Sequence, residues 1–155
     1  DVVLTGDDFG AQNGLLLSPE TWREFLAPGF HAYMALAHAH GARTMHHTCG
    51  AVAELIPDLI AGGLDILQSL QPDAAGMDFP RLVRTFGDRL AFQGGISVQQ
   101  TLPRGSPADV RAAVRQVADT VRGRGGYIFC TAHNLQADTP PENIRALMDA
   151  YHEFG

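Results

Sequence analysis

The chain has 155 residues, of which 45 % are hydrophobic and 18 % are charged. This length is sufficient to bury a substantial hydrophobic core. The formal net charge of −6 excludes the basic surface that holds nucleic acid or an anionic membrane. No apolar run approaches the roughly 18–20 residues that a membrane span requires.

Short apolar runs alternate along the chain with segments of helical periodicity. Ser18-Pro19 and Ser106-Pro107 mark helix starts, with serine as the N-cap and proline in the first turn. Pro28 predicts a break or a kink, because proline lacks the N–H that continues a helix. The predicted strands cover residues 2–5, 42–49, 64–68, 90–93 and 127–130. The predicted helices cover 19–40 with the interruption at Pro28, 51–61, 79–86, a long amphipathic segment from 107, and 143–154.

Five strands that alternate with five helices predict an α/β protein with a parallel sheet. Two layouts satisfy this pattern: an open sheet of the flavodoxin type, or part of an eight-stranded barrel, which needs roughly 200–250 residues when complete. No linker-like stretch divides the chain, so residues 1–155 are predicted to form a single domain. In both layouts the carboxyl ends of the strands meet at one edge, where ligands bind.

Polar side chains follow the predicted strands at this edge. Alternate residues of a strand share a face, so His47 and Cys49 are expected to point together and His46 to the opposite side. An imidazole and a thiol in this arrangement suit a zinc site, and the alternative is core packing. His133 is a candidate third ligand, or else a general acid or an anion binder. Cys130 lies within an apolar strand and is predicted to belong to the core.

An adjacent pair of carboxylates, Asp7 and Asp8, follows the first strand. Successive side chains diverge, so at most one of the two is expected to face the pocket, and a turn or cap role is the alternative. Gly94-Gly95 is too short for a phosphate loop and predicts close backbone approach instead. The chain has no nucleophile elbow, Walker loop or dinucleotide fingerprint, which excludes the commonest hydrolase, phosphotransferase and dehydrogenase classes.

The two cysteines, Cys49 and Cys130, are isolated in the sequence. A disulfide between them is one alternative, but two isolated thiols fit a reducing, cytoplasmic setting better. The chain opens with Asp1-Val2-Val3-Leu4 and no basic segment, so no secretory signal peptide is predicted. The missing initiator methionine indicates a processed chain or a piece of a longer one.

Four stretches, in order along the chain, together resemble the uroporphyrinogen decarboxylase superfamily. They are the run from Leu17 to Phe25 with Pro28, the strand into His47-Thr48-Cys49-Gly50, the run Phe92-Gln93-Gly94-Gly95-Ile96, and the run from Ala132 to Ile144. The resemblance implies a (β/α)8 TIM barrel, of which this chain is the C-terminal five units. It also implies that about three N-terminal units are absent from the sequence.

The resemblance is strongest to the methyltransferase branch, whose members use zinc and a corrinoid. It implies that His47 and Cys49 form the first half of an H-x-C…C zinc site, with His133 in place of the second cysteine. A small-molecule substrate, a corrinoid on a partner protein and a homodimer are the expected partners. The site residues expected besides these ligands are Asp8, as a catalytic residue with His133, and Asp7, Gln71, Gly94 and Asn134, as substrate-binding residues.

Two other functions remain open at this point. The resemblance to the cofactor-free decarboxylases of porphyrin biosynthesis implies that His133 binds or protonates a tetrapyrrole or another polycarboxylate. In that branch a serine lies in the region that corresponds to Asp7-Asp8, and the H-x-C motif is not usual. This chain therefore departs from the decarboxylase pattern at both places. A third hypothesis is a non-catalytic partial barrel that binds another chain, whose exposed strand edges would favour association.

Overall fold

Five parallel strands form one sheet in a computed structural model that describes residues 1–124 and 126–155. The strands are β1 (Val2–Gly6), β2 (Arg43–His47), β3 (Ile66–Leu70), β4 (Ala91–Ile96) and β5 (Tyr127–Thr131). The helices are α1 (Pro19–Phe25), α2 (Ala27–Ala39), α3 (Ile56–Ala61), α4 (Phe79–Phe86), α5 (Thr101–Arg104), α6 (Pro107–Val121) and α7 (Pro141–Phe154). No helix in the described ranges is long and apolar enough to cross a membrane.

Each strand pairs in parallel with the next strand along the chain, in the order β1-β2-β3-β4-β5. A flavodoxin-type sheet has the order 2-1-3-4-5, so this layout is excluded. Sequential parallel strands joined through helices are the arrangement of a (β/α)8 barrel. The resemblance therefore predicted the fold class correctly, and the chain provides five of the eight units.

Prolines determine where several helices begin. Pro28 lies in the first turn of α2, so the predicted interruption is a complete break between α1 and α2. Pro57 likewise lies in the first turn of α3, which begins at Ile56. The predicted helix over 51–61 was therefore wrong in its first five residues, because a proline is tolerated in the first turn but not in a helix interior.

Two predicted strand ends also need correction. β2 ends at His47, so Thr48 and Cys49 belong to the turn that follows it. β4 continues through Gly94-Gly95 to Ile96 instead of ending before them. Gly94 has φ +115°, and a Cβ atom there would lie 2.7 Å from the backbone nitrogen of Leu70. Only glycine allows β4 to run this close to β3.

The hydrophobic core fills the space between the helices and one face of the sheet, here called the outer face. Phe92 of β4 packs edge-on against Phe79 of α4, with ring centroids 6.0 Å apart. The amphipathic helix predicted from 107 is confirmed as α6, in which Val110, Val114 and Val117 are buried and Val121 is partly buried. The opposite face, here called the inner face, has no helix against it in the part of the chain that the structure describes.

The two terminal strands of the sheet each pair with one neighbour among the described residues. Along β1, Val2, Val3 and Leu4 are 50 %, 44 % and 56 % exposed, although β-branched and apolar residues are typical of buried strands. Tyr33 and Leu36 of α2 are also exposed. Exposed apolar residues along a terminal strand are what a barrel without its neighbouring units leaves uncovered.

Asn143 connects the last helix to the loop that follows α5. Its side chain is buried, and its Nδ2 atom donates to the carbonyl oxygens of Leu102 and Gly105, each at 2.8 Å.

We expect Asn143→Leu to lower the free energy of unfolding by about 2–4 kcal/mol, because two hydrogen bonds are lost and two carbonyl groups are left without a donor. Urea denaturation measures this change. Arg145→Ala, at an exposed position of the same helix, is the matched control. If both variants had an equally small effect, the hydrogen bonds of Asn143 would not stabilise the fold.

His46 is buried on the outer face, where its ring stacks on Phe9 at 5.0 Å and meets Phe30 edge-on at 5.1 Å. Burial lowers the pKa of His46 below its ordinary value of 6.5, an effect that the nearby Asp7 partly opposes. The folded state therefore holds a neutral imidazole, whereas the unfolded chain binds a proton below pH 6.5. The stability contributed by the neutral ring is complete above that pH and is lost as the pH falls towards the lowered pKa of the folded state.

We expect the free energy of unfolding to decrease between pH 7.5 and pH 5.0, and this decrease to be smaller in His46→Phe. Urea titrations at several pH values measure the slope for each protein. His152→Gln, at an exposed position, is the matched control and keeps the wild-type slope. Identical slopes in wild type and His46→Phe would show that this histidine does not set the acid sensitivity.

Candidate metal centre

The turn after β2 brings Cys49 back over the end of its own strand. Gly50 has φ +81°, a conformation that favours glycine, and a Cβ atom there would lie 2.5 Å from the carbonyl group of Gly10. The sharp turn places the Cys49 Sγ atom 3.4 Å from the Nε2 atom of His47. His47 and Cys49 therefore share one side, as predicted, while His46 lies on the other.

Asp8 joins these two residues from the end of β1. Its Oδ1 atom accepts a hydrogen bond from the backbone N–H of Cys49 at 2.8 Å and lies 3.8 Å from His47 Nε2. One carboxylate oxygen, one imidazole nitrogen and one thiol sulfur of these residues all lie within 4.8 Å of one another. These three donor types are the ones that zinc takes in proteins, and three protein ligands are the number found in catalytic zinc sites. The residues present therefore fit a zinc ion.

At most one of Asp7 and Asp8 was expected to face the pocket, and the structure corrects this expectation in part. Both line an open cavity of about 560 Å3 on the inner face, together with His47 and Gln68. Only Asp8 belongs to the group of three ligand atoms. The backbone N–H of Asp7 donates to the carbonyl of His47 at 3.0 Å, which joins the end of β1 to the end of β2.

His133 lies beside the group without being part of it. Its ring centroid is 6.3 Å from that of His47, with the two rings nearly perpendicular, and its side chain is exposed. The sequence placed His133 at this end of the sheet correctly. Its role as a metal ligand, a catalytic residue or a substrate-binding residue stays a prediction.

The other expected substrate-binding residues lie in different settings. Gln71 is buried, and its side-chain oxygen accepts the backbone N–H of Gly50 at 3.0 Å. Gly94 is buried beside β3, and its carbonyl accepts the hydroxyl of Tyr127 at 2.6 Å. Asn134 is exposed, close in sequence to His133. Gln71 and Gly94 thus stabilise the backbone around the site, and direct contact of any of the three with a substrate stays a prediction.

Two glutamines next to the site, Gln68 and Gln93, belong to the polar strand ends of the sequence but were not predicted as site residues. Gln68 Oε1 lies 3.1 Å from His47 Nδ1, and Gln68 Nε2 donates to Gln93 Oε1. Both glutamines follow from strand register, since His47 pairs with Gln68 and Gln68 pairs with Gln93 across the sheet. The signal in the sequence was a polar residue near the end of each of two otherwise apolar strands.

The environment of Cys49 favours its neutral thiol. Burial raises the pKa of the Cys49 thiol, and the Asp8 carboxylate raises it further through its negative charge and a hydrogen bond. Both cysteines of the chain are free thiols. In the protein without a metal, Cys49 is therefore a poor nucleophile at neutral pH, because the thiolate is the reactive form.

We expect Asp8→Asn to accelerate alkylation of Cys49 by iodoacetamide at pH 8 by a few-fold, because it removes the negative charge that raises the pKa of the thiol. The measurement uses a Cys130→Ser background, so that only one thiol reacts, and follows the rate from pH 7 to pH 10. Asp7→Asn is the matched control, since it removes an equal charge outside the ligand group. Equal acceleration by both variants would mean that general surface charge, and not Asp8, controls the thiol.

Comparison with known proteins agrees with this architecture. The uroporphyrinogen decarboxylase (URO-D) family matches residues 1–154. Uroporphyrinogen decarboxylase of Ralstonia nicotianae is 32 % identical over 161 residues, which cover 95 % of this chain and 42 % of that protein. The enzyme of the same name from Cupriavidus metallidurans is 30 % identical over 146 residues, which cover 86 % of this chain and 39 % of that protein.

A methyltransferase from Methanosarcina mazei has the same fold, with a TM-score of 0.74 at 24 % identity. The match covers 99 % of this chain and 42 % of the methyltransferase. The chain thus spans about two fifths of the length of the relatives that it matches. Because the family match extends over all but its last residue, the chain belongs to the URO-D family.

Proposed function

We propose that this chain carries the zinc site of an enzyme that transfers a methyl group between a corrinoid and a small substrate. The observation that supports the proposal is the group formed by Asp8, His47 and Cys49 at the carboxyl ends of β1 and β2. In a parallel α/β barrel this end of the sheet is where catalytic groups lie. The corrinoid is proposed to be carried by a partner protein.

The proposed ligands are His47 Nε2, Cys49 Sγ and a carboxylate oxygen of Asp8. The sequence resemblance assigns the third place to His133, whereas Asp8 is the residue whose oxygen lies within 4.8 Å of both other ligand atoms. A carboxylate and a thiolate together balance the two positive charges of zinc, so the assembled centre is neutral. When bound, zinc supplies the Lewis acidity that keeps a substrate thiol deprotonated at neutral pH.

The remaining residues of the site bind and orient the reactants. The inner-face cavity next to the ligands has an apolar wall at Leu4 and polar groups at Asp7 and Gln68, so it accepts a small molecule with both kinds of surface. His133 lies exposed beside His47, and its proposed role is to hold or deliver a proton to the bound substrate. The hydrogen bond from Cys49 N–H to Asp8 keeps the two loops of the site together.

A second candidate function is metal-free decarboxylation of a tetrapyrrole or another polycarboxylate. The observations that favour it are the names of the curated relatives, which are uroporphyrinogen decarboxylases, and the exposed position of His133 outside the ligand group. In this function His133 binds or protonates the substrate, and Cys49 has no chemical role.

Metal binding separates the two functions. We expect the purified chain to bind one zinc ion, and cobalt(II) substituted for zinc to show a thiolate-to-metal charge-transfer band. His47→Ala and Cys49→Ser remove a ligand and should lower the affinity by more than the roughly 10–100-fold typical of residues that only support a ligand. Because the Cys49 proton must leave, zinc affinity should rise with pH.

Matched variants identify the third ligand. Asp8→Asn lowers zinc affinity under this proposal and His133→Asn changes it little, while Asp7→Asn and Cys130→Ser are the controls. If His133→Asn lowered the zinc affinity and Asp8→Asn did not, the result would support the ligand set implied by the resemblance, with His133 as the third ligand. Metal-free protein with unchanged properties in Cys49→Ser would overturn the zinc proposal, and turnover of uroporphyrinogen by that protein would establish the decarboxylase function.

A further inference from the structure

We propose that Gln68 and Gln93 are positioning residues that fix the tautomer of His47, so that its Nε2 atom is free to bind a metal. The consequence for metal binding rests on the proposed function. The tautomer itself is a property of the metal-free protein, and it can be measured separately.

The three side chains form a continuous row on the inner face of the sheet. His47, Gln68 and Gln93 occupy paired positions on β2, β3 and β4. His47 Nδ1 lies 3.1 Å from Gln68 Oε1, and Gln68 Nε2 donates to Gln93 Oε1. All three side chains are half-buried, so water competes with these contacts less than it would at the surface.

The chemistry of the amide groups gives this row a direction. An amide oxygen only accepts hydrogen bonds and an amide NH2 group only donates them. In the structure the NH2 group of Gln68 is directed to Gln93 and its oxygen faces His47, an arrangement that favours a proton on Nδ1. The other ring nitrogen of a neutral imidazole then carries a lone pair. That nitrogen, Nε2, is the atom 3.4 Å from Cys49 Sγ and 3.8 Å from Asp8 Oδ1.

Reversal of both amides gives the opposite state. Gln93 would then donate to Gln68, and Gln68 would donate to His47 Nδ1, which places the proton on Nε2. An Nε2–H group can donate to Cys49 or Asp8 but cannot bind a metal. The direction of the Gln68–Gln93 hydrogen bond therefore decides whether His47 is competent as a ligand, and Gln93 acts through Gln68.

The first test measures the tautomer in metal-free protein. Long-range 1H–15N correlation NMR spectra distinguish Nδ1–H from Nε2–H histidine, and a His47→Gln spectrum assigns the signal. We expect His47 as the Nδ1–H form in wild type, and a shift towards Nε2–H in Gln68→Met, which keeps the side-chain volume but removes the acceptor. Gln68→Glu keeps an acceptor at the same place and should restore the Nδ1–H form. A wild-type protein with the proton on Nε2 would overturn the proposal.

The second test measures metal affinity by competition with a chromogenic chelator. Gln68→Met should lower zinc affinity about 10–100-fold, as loss of an outer-shell partner of a histidine ligand does, and Gln68→Glu should bind zinc at least as tightly as wild type. Gln93→Met should give a smaller decrease. Gln116→Met, exposed on α6, is the matched control, and thermal unfolding verifies that each variant is folded.

The two tests distinguish failure of this inference from failure of the proposed function. A tautomer that shifts in Gln68→Met while no form of the protein binds zinc supports the positioning role and contradicts the zinc proposal. Zinc binding that is unchanged in Gln68→Met contradicts the positioning role and leaves the zinc site intact.

Discussion

The site depends on the close contact between the loop after β1 and the turn after β2. Gly50 lies so near Gly10 that neither position has space for a Cβ atom. The backbone N–H of Ala51 donates to the carbonyl of Ala11 at 2.8 Å, which joins the two segments side by side. This backbone contact brings Asp8, from one strand end, to His47 and Cys49 at the next. A side chain at Gly50 would separate the loops and with them the ligand atoms.

Buried polar side chains also stabilise the contact between the loop after β1 and the turn after β2. Thr48, directly between His47 and Cys49, is buried, and its hydroxyl accepts the backbone N–H of Phe9 at 2.9 Å. Gln71 extends from the end of β3 to the N–H of Gly50. Backbone groups in a buried turn need partners, and these two side chains supply them. The arrangement fixes the loops before any ligand arrives, which is the condition for a preorganised site.

The sequence predicted the α/β class with its parallel sheet, and the shared side of His47 and Cys49, because both depend on simple periodicities. Alternation of strand and helix patterns gave the five parallel strands, and alternation along β2 separated His46 from His47. Pro57 carries a signal for the start of α3 that the predicted helix over 51–61 does not reflect, because proline is tolerated in the first turn of a helix but not in its interior. Gly94-Gly95 was interpreted as a strand end, because positive φ angles inside a strand cannot be recognised from residue type alone.

The partners of His47 could not be predicted, because they depend on register between strands. A shift of one residue turns every side chain of a strand to the opposite face, and the pairing of His47 with Gln68 is fixed only when β2 and β3 are assembled. The same limit applies to Asp8, which reaches Cys49 through the geometry of two loops. The resemblance suggested His133 as the third ligand from a motif, whereas the three ligand-type atoms that lie within 4.8 Å of one another belong to Asp8, His47 and Cys49.

The identity of the third ligand has an electrostatic consequence for the chemistry. Two histidines and one thiolate leave a zinc centre with one net positive charge, which favours an anionic ligand in the open position. A carboxylate of Asp8 in place of one histidine would make the proposed centre neutral and would favour an anionic ligand less strongly. The carboxylate also raises the pKa of Cys49 when no metal is present, which couples metal binding to proton release. In the proposed zinc site, Asp8 would thus have two effects: it disfavours the Cys49 thiolate when no metal is bound, and it would add a negative charge to the centre when zinc is bound.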